Sequence, residues 1–193
     1  MGDVWITDMT HFESIPAGLS YEPTRRIAQF FGAVVSVGSL SPADVLVHAA
    51  LFCRRRPGRI PCPGHLQIRR DSVSGVIAWH CSHCDDQGEI SNWESTSWNR
   101  KQWLLDRPAN RKLLKLVLTE EEIRELWQNP VLSSEAESLL YGATIVNGDI
   151  VVQATLEELD DFQGCVAFDA NHEEKKRRQR ILDQVLEKIE AIL

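Results

Sequence analysis

The chain has 193 residues, 43% of them hydrophobic and 25% charged, with a formal net charge of −7. This composition lies in the ordinary globular range and allows one large or two small domains, each with a working core. No apolar run nears the roughly 20 residues of a bilayer span, and the net acidity argues against a protein that coats nucleic acid without specificity.

The opening, MGDVWITDMTHFESIP, has neither a basic n-region nor an apolar h-region, and Ile6 stands where a myristoylation signal wants Ser or Thr. A soluble, cytoplasmic chain with no membrane partner is expected. Val4–Ile6 reads as a short strand. EPTRRIAQFFGAVVSVG (22–38) reads as a helix: Pro23 suits its first turn, Ile27, Phe30, Phe31, Val34 and Val35 share one face, and Gly38 can end it. DVLVHAALF (44–52) reads as a strand. HLQIRR (65–70) and GVIAWHC (75–81) alternate apolar with polar around a turn cluster of Asp71, Ser72, Ser74 and Gly75, the pattern of a hairpin. GEISNWES (88–95) adds another short strand.

Residues 95–110 read as a linker that ends at Pro108, and RKLLKLVL (111–118) opens a second unit with a strand. Thr119 with Glu122 forms a capping box, and Ser134 with Glu137 and Thr155 with Glu158 repeat the signature. Asn147-Gly148 between two β-branched runs predicts a hairpin with a type I′ turn. The final helix carries one stripe of Ile181, Val185, Ile189 and Ile192 beside another of Leu182, Leu186 and Leu193. Such stripes serve as core or, failing that, as a surface for a protein partner or a second copy of the chain. The basic run Lys175–Arg180 opposes the helix dipole if that helix begins there; continuation of the preceding helix, or a partner, would relieve it.

Between Cys53 and Cys84 lie four of the five cysteines. Cys81-Ser-His-Cys84 is a C-x-x-C pair at a strand end, a spacing that aims two sulfurs and the amides of a tight turn at one metal. A partner pair is expected roughly 15–20 residues upstream, where Cys62 stands, followed by a Pro63-Gly64 turn. The fourth donor has two candidates. His65 would make a C-x-x-H knuckle with Cys62. Cys53 would lie opposite Cys62 if a hairpin centred on Pro57-Gly58, within reach of one ion. Cys53 is preferred, because four soft thiolates suit zinc. Reduced core cysteines, or a Cys53–Cys62 disulfide, are the competing readings. Cys165, on a helix with Phe162 and Phe168, reads as an inert core thiol.

Residues 45–94 thus resemble the zinc-ribbon group of folds, in which two knuckles clamp one structural zinc beside a small antiparallel sheet. Cys81 and Cys84 match the second knuckle and Cys62 the first, while the upstream pair departs from C-x-x-C. The whole layout also resembles uncharacterised bacterial zinc-ribbon proteins. The resemblance carries no activity, since ribbons serve many functions.

Four protein sulfurs would close the zinc shell, and catalysis needs an open position. His172-Glu-Glu-Lys-Lys lacks the second histidine of H-E-x-x-H, and no P-loop, nucleophile elbow or dinucleotide fingerprint occurs. His80 and His83 read as solvent-facing knuckle residues. The stronger clue is charge: Arg54, Arg55, Arg56, Arg59, Arg69 and Arg70 fall in a stretch with no acid, whereas residues 101–193 carry 12 basic and 18 acidic side chains. Arginines beside a rigid metal site can grip phosphates, and Trp79, Trp93, Trp98 and Trp103 are nearby stacking candidates.

The expectation is an α+β protein: an N-terminal region (1–94) built around a zinc ribbon with a small antiparallel sheet, a linker (95–110), and a mixed unit (111–193) with a β-hairpin and two C-terminal helices. One structural zinc per chain and weak nucleic-acid binding lead. A protein-interaction adaptor follows, and a zinc-dependent enzyme comes third.

Overall fold

A computed structural model of the chain describes residues 4–13, 22–107, 112–129 and 132–193. The fold is α+β and divides into two compact units, Met1–Leu105 and Asp106–Leu193. None of the helices described is long and apolar enough to cross a membrane.

In the first unit, strands β1 (Val4–Asp8), β2 (Val47–Phe52), β3 (His65–Arg70), β4 (Ile77–Cys81) and β5 (Gln87–Ser91) lie in the order β1-β5-β4-β3-β2. β1 runs parallel to β5, and the other neighbours are antiparallel. Period-2 alternation sends Leu66, Ile68, Ile77, Trp79 and Ile90 to one face, where all are buried. The short helix α1 (Thr10–Glu13) follows β1, and α2 (Glu22–Leu40) packs across β2, β3 and β4. Phe31, Val34, Val35 and Val37 of α2 are buried there, and Phe30 meets Trp79 edge to face at 5.2 Å. Such a contact adds about 0.5–1.5 kcal/mol to simple burial.

α2 continues two residues past Gly38, its expected end, and a side chain at that position would have nowhere to go. A Cβ there would stand 2.7 Å from the Cδ1 of Ile77, so glycine is what lets helix and sheet close. On another side of α2, Gly32 admits the Trp98 ring: a Cβ would lie 2.3 Å from its Nε1. The Ser36 hydroxyl donates to the Trp98 carbonyl at 3.1 Å, and the Arg100 amide donates to the Ser39 hydroxyl at 2.9 Å. Residues 98–100, read from sequence as linker, are thereby tied to α2. Pro108 lies outside the described residues.

The second unit contains α3's last residue (α3 is Lys101–Asp106), strands β6 (Leu114–Leu118), β7 (Thr144–Val146) and β8 (Asp149–Ala154) in the antiparallel order β7-β8-β6, and helices α4 (Glu120–Leu126), α5 (Ser134–Tyr141), α6 (Leu156–His172) and α7 (Lys176–Glu190). Asn147 (φ 53) and Gly148 (φ 92) make the left-handed turn of the β7–β8 hairpin. Both residues of a type I′ turn need positive φ, which Asn-Gly supplies with least strain. Thr119 and Thr155 form complete capping boxes at α4 and α6. At α5 the cap is Ser133, whose hydroxyl accepts from the Ala136 amide; the expected Ser134 is the first helical residue instead.

Ile181, Leu182, Val185 and Ile189 of α7 are buried against the rest of this unit, so these positions of the apolar stripes belong to its core, while Leu186 and Ile192 are half-buried and Leu193 is exposed. α7 begins inside the basic run, with no side-chain cap at Lys175. Acids gathered from three places compensate the positive charge at the positive end of the helix dipole. The Arg178 guanidinium donates to both carboxylate oxygens of the buried Asp169 and to Glu173 at 2.5 Å, lies 3.3 Å from a Glu125 carboxylate oxygen, and donates to the Glu125 carbonyl at 3.2 Å. The same guanidinium holds the Glu173 carboxyl below the usual carboxylate range.

Removing one partner from a buried ion network leaves the others uncompensated. Arg178→Ala should therefore lower unfolding stability by about 3–5 kcal/mol. Arg177 is 86% exposed in its pair with Glu121, so Arg177→Ala should cost no more than about 1 kcal/mol. Denaturant unfolding of the two variants side by side checks the contrast.

Candidate metal centre and the arginine loop

Four chain segments of the first unit deliver one sulfur each. Cys53 follows the last residue of β2, Cys62 precedes β3, Cys81 ends β4, and Cys84 sits in the turn to β5. Their Sγ atoms all lie within 4.8 Å of one another, with Cys53–Cys84 at 3.6 Å and Cys62–Cys81 at 3.8 Å. Thiolates placed tetrahedrally around a zinc at about 2.3 Å stand about 3.8 Å apart, so the cluster has the size of a single ion's shell. These separations are far beyond a sulfur–sulfur bond of about 2.05 Å, and all five cysteines are unpaired thiols. His65 is not part of the group. Its ring packs on Phe52 at a centroid distance of 4.8 Å.

The backbone is arranged for negative sulfur. The amide of Arg55 donates to Cys53 at 3.4 Å, Gly64 to Cys62 at 3.4 Å, and His83 to Cys81 at 3.3 Å. The Asp86 amide does the same for Cys84. In each case the donor lies two residues beyond the cysteine, the repeat expected when a tight turn wraps a thiolate. The two knuckles are also stitched to one another: the Ser82 amide donates to the His65 carbonyl at 2.9 Å, and the His65 amide to the Ser82 hydroxyl at 3.1 Å.

The register of the upstream knuckle differs from expectation. The Cys53 amide donates to the Gly64 carbonyl at 2.8 Å and the Cys62 amide to the Arg55 carbonyl at 2.9 Å, so Cys53 opposes position 64 rather than 62. The cause is a longer loop, a 3-10 turn at Pro57–Arg59 with Gly58 and Arg59 both at positive φ. A slip of two residues preserves side-chain facing, since a strand repeats every second residue. Both sulfurs therefore still point to the same place, as diagonal rather than opposed neighbours.

Burial raises the Cys53 and Cys84 thiols above their ordinary pKa. It acts on Cys81 in the same sense, but the amides of His83 and Cys84 and the thiols around it outweigh burial and bring that pKa down. Burial thus opposes ionisation of Cys53 and Cys84, a cost that coordination of a divalent cation can offset. Gly64 is part of the cradle. A Cβ there would fall 2.4 Å from the Cys81 sulfur and 2.7 Å from the His83 Cβ. From sequence Gly64 is a turn residue; its steric role depends on a partner 17 positions away.

The six arginines do not share one role. Arg54 turns inward: its guanidinium lies 4.2 Å from the Trp5 ring centroid and 5.0 Å from that of Phe30, and its Nε donates to the fully buried carboxylate of Asp86 at 3.4 Å. It therefore ties the residue after Cys53 to the residue two beyond Cys84. Arg70 donates to the Gly38 and Ser41 carbonyls at 3.1 and 3.0 Å, around the C-terminal end of α2, where the helix dipole favours a cation. Arg69 pairs with Asp44 at 3.7 Å. Arg55 is half-buried, and Arg56 and Arg59 are exposed on the loop between Cys53 and Cys62.

The aromatic candidates divide similarly. Trp79 and Trp93 are buried and unavailable for stacking, and Trp98 is packed on Gly32. Trp5, passed over in the sequence because it stands 48 positions before Cys53, is the indole beneath Arg54. His80 and His83 are exposed. Cys165 is half-buried rather than in the core with Phe162, and Phe168 is 51% exposed against His172. Comparison of the chain with protein-family models, curated proteins and solved structures finds no match in any of the three.

Three outcomes test the centre. Cys53→Ala should abolish stoichiometric metal retention as Cys81→Ala does, whereas His65→Ala retains it; metal analysis after gel filtration distinguishes them. Gly64→Ala should weaken retention although glycine donates no ligand atom, with chelator competition as the measurement. Because bound thiolates exclude protons, apparent metal affinity should fall as pH falls. If three or four protons return, the loss is about three to four powers of ten per pH unit. Chelator competition across a pH series reads that slope.

Proposed function

We propose that the chain is a nonenzymatic binding protein whose first unit is closed by one structural zinc on Cys53, Cys62, Cys81 and Cys84, and that its partner is nucleic acid. The convergence of four sulfurs within 4.8 Å carries the zinc part. Four thiolates suit tetrahedral zinc and fill its coordination, which favours a bracing ion over a catalytic one. Knuckles beside a small antiparallel sheet are the arrangement of the zinc-ribbon group.

The partner is argued from charge. Arg55, Arg56 and Arg59 stand together on a loop without acids, in a protein of net charge −7. A rigid metal site at the loop's base limits the conformational entropy lost when these side chains meet phosphates. The cluster is small, so binding is weak and set by counterion release.

The adaptor reading draws on a different observation. Arg54 and Arg70 are held in contacts within the unit and Arg69 faces Asp44, which reduces the basic surface that the sequence offers. A protein partner needs no such surface.

Purified protein should contain about one zinc per chain by elemental analysis. Titration of a fluorescent single-stranded oligonucleotide at several salt concentrations should give a log–log slope of about −2 to −3, three phosphate contacts at about 0.7–0.9 each. Replacing Arg55, Arg56 and Arg59 with Ser should flatten the slope and leave the zinc in place. If neither protein binds DNA or RNA at about 50 mM salt, the nucleic-acid reading fails and the adaptor reading leads.

A further inference from the structure

Beside the metal centre, β1, the first turns of α2 and the loop after Cys53 enclose an open cleft of about 440 Å³. Trp5, Ile27 and Phe30 supply its apolar surface, and Arg26, Arg54, Arg55 and Arg56 its charge; among the described residues no acid lines it. The volume lies in the range of small-molecule sites, about 300–1,000 Å³, which typically pair an apolar floor with a few placed polar groups. Four cations around an aromatic floor, in a protein that is acidic overall, select a ligand with two properties. It must be anionic, and it must carry a flat apolar face.

Arg54 explains how such a site is kept ready. Its guanidinium is already seated over Trp5 and anchored to buried Asp86, so it holds the indole in place at the cleft. Arg56 is exposed at the rim, Arg26 is exposed on α2, and Ile27 and Phe30 are half-buried between them. The wall formed by positions 54–56 leaves directly from Cys53, so its path is set by the sulfur cluster.

We infer that this cleft is a nucleotide site: the base rests against the Trp5, Ile27 and Phe30 surface, and the phosphate sits among Arg26, Arg55 and Arg56. A base offers a π-face that any aromatic floor accepts, and guanidinium groups grip phosphate with paired donors. The ligand chemistry is shared by a free nucleotide and by one residue of a single strand. The inference deepens the nucleic-acid reading above and rests on its assignment of the arginine loop.

The test uses zinc-loaded full-length protein and calorimetric titration with adenosine 5′-monophosphate, inorganic phosphate, a short oligoadenylate and a glutamate-rich peptide. The expected result is binding of the monophosphate in preference to phosphate alone and to the peptide. Ile27→Glu and Arg56→Ser should each weaken it about tenfold or more, the worth of one charge-assisted hydrogen bond or of an opposed charge. Arg177→Ala, which removes the same charge from the second unit, should leave affinity unchanged, and zinc content and circular dichroism check that each variant folds. Binding of the monophosphate without the oligonucleotide supports the cleft and identifies a free nucleotide as its occupant. Oligonucleotide binding that Ile27→Glu leaves intact, with no monophosphate binding, overturns the cleft while the arginine loop stands. Equal binding of the peptide overturns the nucleotide assignment, and absence of all binding overturns both readings.

Discussion

Four sulfurs within 4.8 Å cannot all ionise unaided, because like charges so close in a partly buried site repel strongly. The first unit is organised around that constraint. Four amides, each two residues beyond its cysteine, point at the sulfurs, and Gly64 leaves the space in which Cys81 sits. This is an investment in negative sulfur that a reduced apolar core would not require, since an inert thiol packs as a small hydrophobe and needs no donors. The strands beneath have their own core of Phe31, Ile68, Ile77 and Trp79. The cluster therefore governs the ends of β2 and β4, the starts of β3 and β5 and the loop after Cys53, rather than the sheet itself.

Arg54 joins these two levels. Its guanidinium lies between an aromatic group and a buried carboxylate, and its loss would strand Asp86, whose carboxylate is fully buried. Asp86 also supplies the amide to Cys84 and the carbonyl to Cys81, the latter at 2.8 Å. One residue thus closes the downstream knuckle by its backbone and anchors the upstream loop by its side chain.

The second unit solves a different electrostatic problem. α7 starts with consecutive basic residues at the end of the helix where cations are least favourable. Asp169 and Glu173, at and just beyond the end of α6, together with Glu125 of α4, converge on Arg178 and turn the defect into a cross-link among three helices. Lys188, a few turns later, repeats the device on a smaller scale with Glu122 at 2.7 Å. Charge here fixes how helices meet, while the apolar faces of Leu182, Val185 and Ile189 supply the burial.

Signals that act within a few residues were legible in the sequence. Thr119 with Glu122 and Thr155 with Glu158 form their capping boxes, Asn147-Gly148 makes its turn, and alternation in 65–70 and 77–81 sets the buried face. Each is decided by sterics and hydrogen bonds within about one turn of chain, so no distant partner can easily overrule it. The four cysteines were legible as a group for a related reason: strand-end spacing constrains where a sulfur points, and a register slip of two leaves that direction unchanged. What needed tertiary structure was every property that depends on a neighbour far along the chain. Fourteen positions separate Arg56 from Arg70, yet the first is exposed and the second is bound to carbonyls of α2 and the residue just beyond it, because only the fold decides which arginine finds a carbonyl or carboxylate within reach. Trp5 became part of the arginine loop's surroundings because β1 pairs with β5 across more than 80 residues, a long-range contact that no local periodicity records.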